Sequence, residues 1–303
     1  MTLQQETQAW TIRNLMKFSI DHLQRHGFDE ARLTVELLLS HALRYQRIEL
    51  YTHFDQPLSK DELKVFRMLY ERRLHHEPVQ FIVGATGFMG MQFQVDQRVF
   101  IPRPETETLV EQTMIFCNRR PEGESTSIFE VGTGSGNIAI AIAKLVRNTQ
   151  VTTIDISRDA LEVARVNAVT HGVAERVSFQ EMSLFDPLVE LLPQKFDVLV
   201  SNPPYVSANE WEHLALEIVQ FEPRTAVTDS SDGYEFYRRI AQIGKNLLLK
   251  NGLILVEVGH GQATHVQEIF QGAGIEGLST VNDLQGIPRV VMGVCPYVST
   301  SQS

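Results

Sequence analysis

The segment Asn202-Pro203-Pro204-Tyr205 carries residue types that could do chemistry. Its two prolines lack backbone N–H donors and have fixed φ angles, so the carbonyl oxygens beside them are rigid hydrogen-bond acceptors. The Asn202 side-chain oxygen and the Pro203 carbonyl could accept the two hydrogens of a planar NH2 group, and Tyr205 could stack on its flat face. The lone pair of such a nitrogen is delocalised, so a site that uses it as a nucleophile must mainly orient it and accept its hydrogens. Taken alone, the segment could also be a sharp turn with a solvent-facing tyrosine.

A second chemical feature is a glycine-rich turn with the sequence Gly132-Thr133-Gly134-Ser135-Gly136. Glycines permit a tight turn and let a ligand approach the backbone where a side chain would collide. The pattern G-x-G-x-G differs from the dinucleotide pattern, and no Lys-Ser or Lys-Thr pair follows it, which excludes a phosphate-binding P-loop. Asp155, 19 residues after the turn, is placed to accept both hydroxyls of a ribose, and Glu130 is suited to reach a cationic amino group. A ligand with a ribose and an amino-acid end but no required phosphate is implied, which describes S-adenosylmethionine.

Alternating strands and helices must position both features. The apolar patterns predict strands at 128–131, 151–155, 177–180, 196–201, 253–258, 277–281 and 289–294. They predict helices at 137–146, 157–170, 234–250 and 262–272. This alternation indicates an α/β fold with a mostly parallel sheet covered on both faces, and the short loop between the last two strands makes that pair antiparallel. Ligands bind at the carboxyl ends of such strands, which favours a binding role for the glycine turn and for Asp155 over a plain connection and a helix cap.

The first quarter of the chain is predicted to be helical. Apolar residues at helical spacing predict three helices, which contain residues 12–23, 35–43 and 63–74. Gly27 is placed to end the first helix, and Asp29 could cap the second. Ser59 and Glu62 form a capping-box sequence before the third helix. This pattern is typical of a small helical bundle.

The pattern changes after Pro78, which is expected to end the third helix. Apolar residues alternate with polar ones over 91–95 and, after a polar break, apolar residues fill 99–101, so a β-hairpin is predicted. Pro102 and Pro104 close this segment, a helix is expected from Glu105, and a loop is expected over 119–127. We therefore predict three parts: a helical domain at 1–77, a hairpin linker at 78–101 and an α/β domain at 102–303.

Length and composition are consistent with this division. The chain has 303 residues, which suggests two domains, and its 43% hydrophobic and 21% charged residues are typical of a globular protein. With 27 Lys and Arg against 37 Asp and Glu, the net charge is −10, the wrong sign for a general nucleic-acid binder. Cys117 and Cys295 are too few for a disulfide framework and wrongly spaced for zinc, so we expect no metal and a reducing compartment. The polar residues 1–10 and the lack of any run of about 20 apolar residues predict a cytoplasmic protein without a membrane span.

Together these segments resemble the N5-glutamine methyltransferases of the HemK/PrmC family, most closely the branch that acts on peptide chain release factors. The resemblance covers nearly the whole chain and rests on residues 101–107, 132–136, 155, 202–205, 221–224, 257–262 and 283–289. It implies a class I S-adenosylmethionine-dependent methyltransferase with a Rossmann-like sheet. It also implies that the helical domain docks the substrate, a class I release factor.

The resemblance also implies roles for individual residues. The cofactor would be held by Gly132, Thr133, Gly134, Ser135, Gly136, Asp155, Leu184 and Asn202, with Leu184 beside the adenine. Asn202, Pro203, Pro204 and Tyr205 would grip the acceptor glutamine. The chain departs from the family pattern at Glu130, where aspartate is usual, at Ser183, where an acid is frequent, and at Leu184, where an aromatic residue is frequent.

For three residues the sequence leaves two possible roles open. Phe100 and Arg103 could close the cofactor pocket, or the phenylalanine could serve only in packing. Glu257 could be a buried support for the site or simply an acid at the end of a strand.

Three other functions compete with this one. The same chemistry could act on a glutamine of a ribosomal protein, although residues 101–107 favour the release-factor branch by resemblance. DNA adenine-N6 methylation also presents a planar NH2 group, but the net charge and the lack of a large basic recognition domain argue against it, so we expect no direct DNA binding. A non-catalytic adaptor would not need both the glycine turn and the Asn202 segment. We expect a monomer.

Overall fold

The computed structural model describes residues 10–121, 123–187, 189, 192 and 194–296. The chain divides into two compact units, residues 1–84 and 85–303. The polar segment 1–9, which contributes to the expectation of a cytoplasmic protein, lies outside the described residues. Over the ranges that are described, no helix combines the length and apolarity needed to cross a membrane.

The first unit is built from helices around an apolar core. Its helices are α1 (Ile12–Arg25), α2 (Ala31–Leu43), α3 (Arg47–Thr52), α4 (Lys60–Leu74) and α5 (Val79–Val83). Gly27 follows the end of α1 with φ +77°, as predicted for a terminating glycine. The capping box is also confirmed, since the Glu62 N–H donates to Ser59 Oγ and the Ser59 N–H donates to a Glu62 carboxylate oxygen. Side chains such as Leu38, Leu39 and Leu50 are fully buried between these helices.

Two predicted helix boundaries in this unit are wrong. The N-cap of α2 is Glu30, in the left-handed region at φ 50°, and not Asp29. Helix α4 ends at Leu74, before Pro78, which instead precedes α5. Proline is tolerated at the start of a helix because the first N–H groups have no intrahelical partner. The short helix α5 therefore occupies part of the range predicted as linker.

The second unit begins with a β-hairpin whose strands differ from those predicted. Strand β1 (Ala85–Phe88) pairs antiparallel with β2 (Met91–Gln94), and Phe88 lies opposite Met91. The connecting residues Met89 and Gly90 both have positive φ, the geometry of a two-residue turn that matches strand twist. The predicted second strand at 99–101 is wrong, because the Ile101 N–H is taken by a side chain distant in sequence instead of a strand.

The rest of the unit is the predicted α/β fold. Its strands are β3 (Thr126–Val131), β4 (Thr149–Asp155), β5 (Val177–Glu181), β6 (Phe196–Ser201), β7 (Leu248–Glu257), β8 (Glu276–Asn282) and β9 (Pro288–Val294). Its helices are α6 (Glu107–Asn118), α7 (Asn137–Leu145), α8 (Arg158–Thr170), α9 (Ala208–Trp211), α10 (Leu216–Phe221), α11 (Arg224–Val227), α12 (Glu235–Leu247) and α13 (Ala263–Gly272), with 3-10 turns at Pro104–Thr106 and Ala174–Arg176. Helix α12 ends three residues before its predicted end, because Leu248 already pairs with Phe196. The helices α9 to α11 were not predicted.

The strand order in the sheet is β5-β4-β3-β6-β7-β9-β8. The five strands from β5 to β7 are parallel, whereas β9 is antiparallel to both of its neighbours, which confirms the predicted antiparallel last pair. Separate apolar cores flank the sheet, one supplied mainly by α6 and α7 and the other by α12 and α13. Strand order reverses between β3 and β6, so this pair forms the switch point where α/β proteins bind ligands.

Candidate active site

A cavity of about 370 Å³ lies at the carboxyl ends of the central strands. Among the predicted site residues, those that line it are Gly132, Gly134, Asp155, Leu184, Asn202, Pro203 and Pro204. The two chemical segments meet here because Val131 and Ser201, the last residues of β3 and β6, are opposite each other in parallel register. The Ser201 hydroxyl also donates to the Val131 carbonyl at 2.8 Å, which joins the two strand ends.

The rest of the glycine turn supports the cavity from behind. Thr133 and Ser135 are buried and do not line the cavity, and the Thr133 hydroxyl lies 2.7 Å from that of Thr153. Gly136 has φ +81°, and a Cβ there would lie 2.7 Å from Ile140 Cδ1 and 3.1 Å from the Ala164 Cβ. Glycine is therefore required at this position by close packing as well as by backbone conformation.

Asp155 ties the glycine turn to the end of β4. Its Oδ2 accepts a hydrogen bond from the Gly134 N–H at 2.9 Å, and its Oδ1 accepts from the Ser157 N–H at 2.8 Å. Burial raises the pKa of this carboxyl, and the two backbone donors oppose that rise. Each oxygen of a carboxylate can accept more than one hydrogen bond, so Asp155 can still receive the hydroxyls of a ribose at the cavity wall.

One end of the cavity is apolar. Besides Leu184 it is lined by residues that sequence reasoning missed, among them Ile156, Ala160, Met182 and Phe185. The signal that could have found them is their position directly after β4 and β5 and at the start of α8. Ser183 also lines the cavity, and its hydroxyl accepts the Phe185 N–H at 3.1 Å. The wall suits a flat, weakly polar group such as a nucleobase.

Glu130 is a fully buried acid near the end of β3. Its side chain is inaccessible, it is absent from the cavity lining, and neither carboxylate oxygen is paired within the described part of the chain. Burial raises its pKa to about 8. The contact with a cationic amino group that the sequence suggests for Glu130 therefore stays a prediction. The cavity residues, with Asp155 as an acceptor for ribose hydroxyls and the apolar wall for the base, therefore fit S-adenosylmethionine.

The Asn202 segment is held from several sides. The Asn202 Nδ2 group donates to Thr106 Oγ1 at 3.1 Å. The Tyr205 carbonyl accepts from Gln262 Nε2 at 2.9 Å, and Gln262 Oε1 accepts the Gly259 N–H at 2.9 Å. Tyr205 is half-buried and is absent from the cavity lining, so its predicted stacking on the acceptor amide stays a prediction. The segment is a rigid support rather than an exposed turn.

Phe100 lines the cavity, but Arg103 does not. The Arg103 guanidinium lies 4.8 Å from the centroid of the Phe100 ring and forms an ion pair with Glu222. Glu222, whose side chain is only 1% exposed, lies in the segment 221–224 on which the resemblance rests, but no role was predicted for it. Burial raises its pKa, while the Arg103 charge opposes the rise.

Among the residues described, no group of three or more His, Cys, Asp or Glu side chains could hold a metal ion.

This sheet order, with a glycine turn after β3 and an acid at the end of β4, defines a class I methyltransferase. Two proteins called release factor glutamine methyltransferase are 40% identical to this chain: one from Chlorobaculum tepidum, aligned over 94% of this chain and 97% of its own, and one from Geobacter sulfurreducens, over 95% and 98%. The chain belongs to the release factor glutamine methyltransferase family.

Domain and fold comparisons agree with this assignment. Residues 14–84 match the PrmC N-terminal domain and residues 122–274 match a methyltransferase domain. A solved methyltransferase from Pyrococcus furiosus is similar in fold, with a TM-score of 0.50 at 14% identity over 75% of this chain and 98% of its own. The predicted family and fold class are therefore confirmed.

Proposed function

We propose that this protein transfers a methyl group from S-adenosylmethionine to the side-chain amide nitrogen (N5) of a glutamine in class I peptide chain release factors, and so acts in translation termination. The observation that carries the proposal is the juxtaposition of Asp155 and the glycine turn with the rigid acceptor segment 202–205 around one cavity. The names of relatives at 40% identity over nearly the full length support the release factor as substrate.

Each half of the cavity has a separate task in this proposal. The cofactor side consists of Gly132, Thr133, Gly134, Ser135, Gly136, Asp155, Leu184 and Asn202. Thr133 and Ser135 are buried and shape the glycine turn without lining the cavity. When bound, S-adenosylmethionine supplies an electrophilic methyl group on a sulfonium. Asp155 accepts the ribose hydroxyls, and the apolar wall around Leu184 and Phe185 packs against the base.

The acceptor side orients the amide nitrogen. Asn202 Oδ1 and the Pro203 carbonyl accept its two hydrogens, which aims the nitrogen lone pair toward the methyl carbon. Pro204 and Tyr205 make this pair of acceptors rigid, and the Tyr205 ring packs near the amide plane. As the new N–C bond forms and the bond between the methyl group and the sulfonium sulfur breaks, the nitrogen becomes acidic and releases one proton to solvent, so no strong base is required.

The helical unit is proposed to dock the release factor. We propose further that the enzyme works as a monomer in the cytoplasm and does not bind DNA directly. The net charge of −10 supports a protein substrate over a polyanion.

Incubation with labelled S-adenosylmethionine tests the function. We expect label on a purified class I release factor and, by mass spectrometry of its peptides, one added methyl group on a glutamine. A release factor with that glutamine replaced by alanine is the control and should remain unlabelled. Label on a ribosomal protein or on DNA, with none on the release factor, would overturn the proposal.

A further inference from the structure

Two buried polar side chains, Thr106 and Glu257, meet the half-buried Asn202 at the start of the acceptor segment. Thr106 ends the 3-10 turn Pro104–Thr106, Asn202 follows β6, and Glu257 is the last residue of β7. Thr106 is 1% exposed and Glu257 is 2% exposed, so neither is satisfied by bulk water. Polar groups buried in this way destabilise the fold unless they form hydrogen bonds with one another.

The sheet itself brings Asn202 and Glu257 together. Ser201 of β6 is opposite Val256 of β7 in parallel register, so the next residue of each chain, Asn202 and Glu257, is also side by side. The Thr106 hydroxyl and the Asn202 side chain act on Glu257 as hydrogen-bond donors that lower its pKa, although burial outweighs them and raises that pKa to about 7. Among the described residues Glu257 Oε2 has no hydrogen-bond partner, so the carboxylate is only partly satisfied. Asn202 Nδ2 donates to Thr106 Oγ1 at 3.1 Å.

The direction of these hydrogen bonds follows from what each group can donate. An ionised carboxylate can only accept, so the single hydroxyl hydrogen of Thr106 goes to Glu257. Thr106 Oγ1 then has only lone pairs left for Asn202, and the Asn202 group that faces it must be the donor Nδ2. The other end of the amide, the acceptor Oδ1, is left for the cavity that Asn202 lines.

We propose that Thr106 and Glu257 are positioning residues that hold the Asn202 amide with Oδ1 toward the substrate nitrogen. This inference rests on the proposed function of Asn202 as the acceptor of the glutamine amide hydrogens. The two ends of an asparagine amide have nearly the same shape, so packing alone does not distinguish them. A flipped amide would present an NH2 group to the substrate NH2 group, and a pair of donors cannot bind each other.

Steady-state kinetics with a purified release factor test the proposal. Thr106→Val and Glu257→Gln should lower kcat by about 10- to 100-fold and change KM for the release factor by less than about threefold, because orientation matters most in the transition state. Thr106→Ser keeps the hydroxyl and should stay within about threefold of the wild-type kcat. Thr113→Val makes the same change at a buried threonine of α6, outside the site, and should leave kcat unchanged.

Several outcomes would overturn the inference. Wild-type kcat in Thr106→Val would exclude a role for the hydroxyl. An equal loss in Thr106→Ser, or in Thr113→Val, would show that kcat responds to packing and not to hydrogen-bond direction. Thermal unfolding of every variant shows whether the fold is retained.

A second measurement needs neither substrate nor cofactor. In protein labelled with 15N-asparagine, the Asn202 side-chain NH2 signal is assigned by its disappearance in Asn202→Ala. Exchange of its hydrogens with solvent should accelerate by about tenfold or more in Thr106→Val and Glu257→Gln, but little in Thr106→Ser. If no release factor is methylated, the proposed function fails, whereas unchanged exchange in both variants refutes the positioning role.

Discussion

Glu222 Oε2 accepts a hydrogen bond from the backbone N–H of Ile101 at 3.1 Å, which joins segments 121 residues apart in sequence. The other carboxylate oxygen of Glu222 pairs with Arg103. The Arg103 guanidinium in turn lies 4.8 Å from the centre of the Phe100 ring, and Phe100 lines the cavity. A single buried carboxylate therefore holds the loop that supplies one wall of the active site.

Removal of this carboxylate should loosen that wall. In Glu222→Ala the Ile101 N–H and the Arg103 cation lose their acceptor, which should lower the free energy of unfolding by about 1–3 kcal/mol. We also expect the Kd of S-adenosylmethionine to rise by about tenfold, because Phe100 is no longer held. Isothermal calorimetry and denaturant unfolding measure both effects, with the exposed Glu212→Ala as control. An unchanged Kd would show that this loop does not shape the cofactor side.

Asn202→Ala should separate binding from chemistry. The cofactor keeps its contacts with Asp155 and the apolar wall, so its Kd should stay within about tenfold of the wild-type value, or 1.4 kcal/mol. Methyl transfer should collapse, because the acceptor nitrogen loses one of its two fixed oxygens. Calorimetry and single-turnover labelling measure these effects, with exposed Asn118→Ala as the control. Normal turnover in Asn202→Ala would remove this residue from the mechanism.

Asp155→Asn should weaken cofactor binding more than it weakens turnover at saturation. The neutral amide keeps the shape but loses a charged acceptor for the ribose hydroxyls and for the Gly134 N–H, so Kd should rise by about 10- to 100-fold. Asp159→Asn, an exposed change in the first turn of α8, is the matched control. A Kd equal to that of the control would argue against ribose binding by Asp155.

Glu130 should make the cofactor-free protein less stable at alkaline pH. Its pKa is about 8 in the folded protein and ordinarily 4.5, so the folded state binds the proton more tightly than the unfolded chain does. The resulting stability is fully present below pH 4.5 and is lost as pH rises through 8, up to about 5 kcal/mol as an upper bound. Glu130→Gln mimics the protonated acid, so its unfolding free energy should fall less between pH 5 and 8. Parallel curves of unfolding free energy against pH for wild type and Glu130→Gln would contradict this prediction. The exposed Glu175→Gln is the control.

Turnover should decline as pH falls through about 7, the pKa of Glu257. Protonated Glu257 can donate to Thr106, so the carboxylate no longer dictates which end of the Asn202 amide faces the cavity. The profile of kcat against pH should therefore show a single acidic limb near 7, and Glu257→Gln should have a lower and flatter profile. An identical acidic limb in that variant would assign the titration to another group.

The groups around Glu257 are compatible with this assignment. Glu105, Tyr205, Tyr237 and Arg289 face it from the surrounding elements. Burial raises the pKa of both tyrosines, so they stay neutral, and the arginine stays cationic throughout the range.

Much of the fold could be predicted from local sequence patterns. The strand 196–201, the capping box of Ser59 and Glu62, and the stop at Gly27 depend on residues close in sequence, whose spacing reflects backbone geometry directly. The prediction paired β2 with the wrong segment, because the apolar run at 99–101 has the same pattern as a strand. The actual partner of β2 is β1, which contains a Thr-Gly pair that weakens the strand signal.

By itself the sequence determined the α/β architecture, the position of the glycine turn and Asp155, and the candidate acceptor segment, because each is a contiguous run with its own chemistry. Only the tertiary structure decided which side chains hold that chemistry in place. Glu222 reaches Ile101 across 121 residues, and Thr106 reaches Asn202 across 96. Such long-range pairs produce no periodic pattern in the sequence. They depend on the order of the strands in the sheet and on which buried polar groups can form hydrogen bonds with one another.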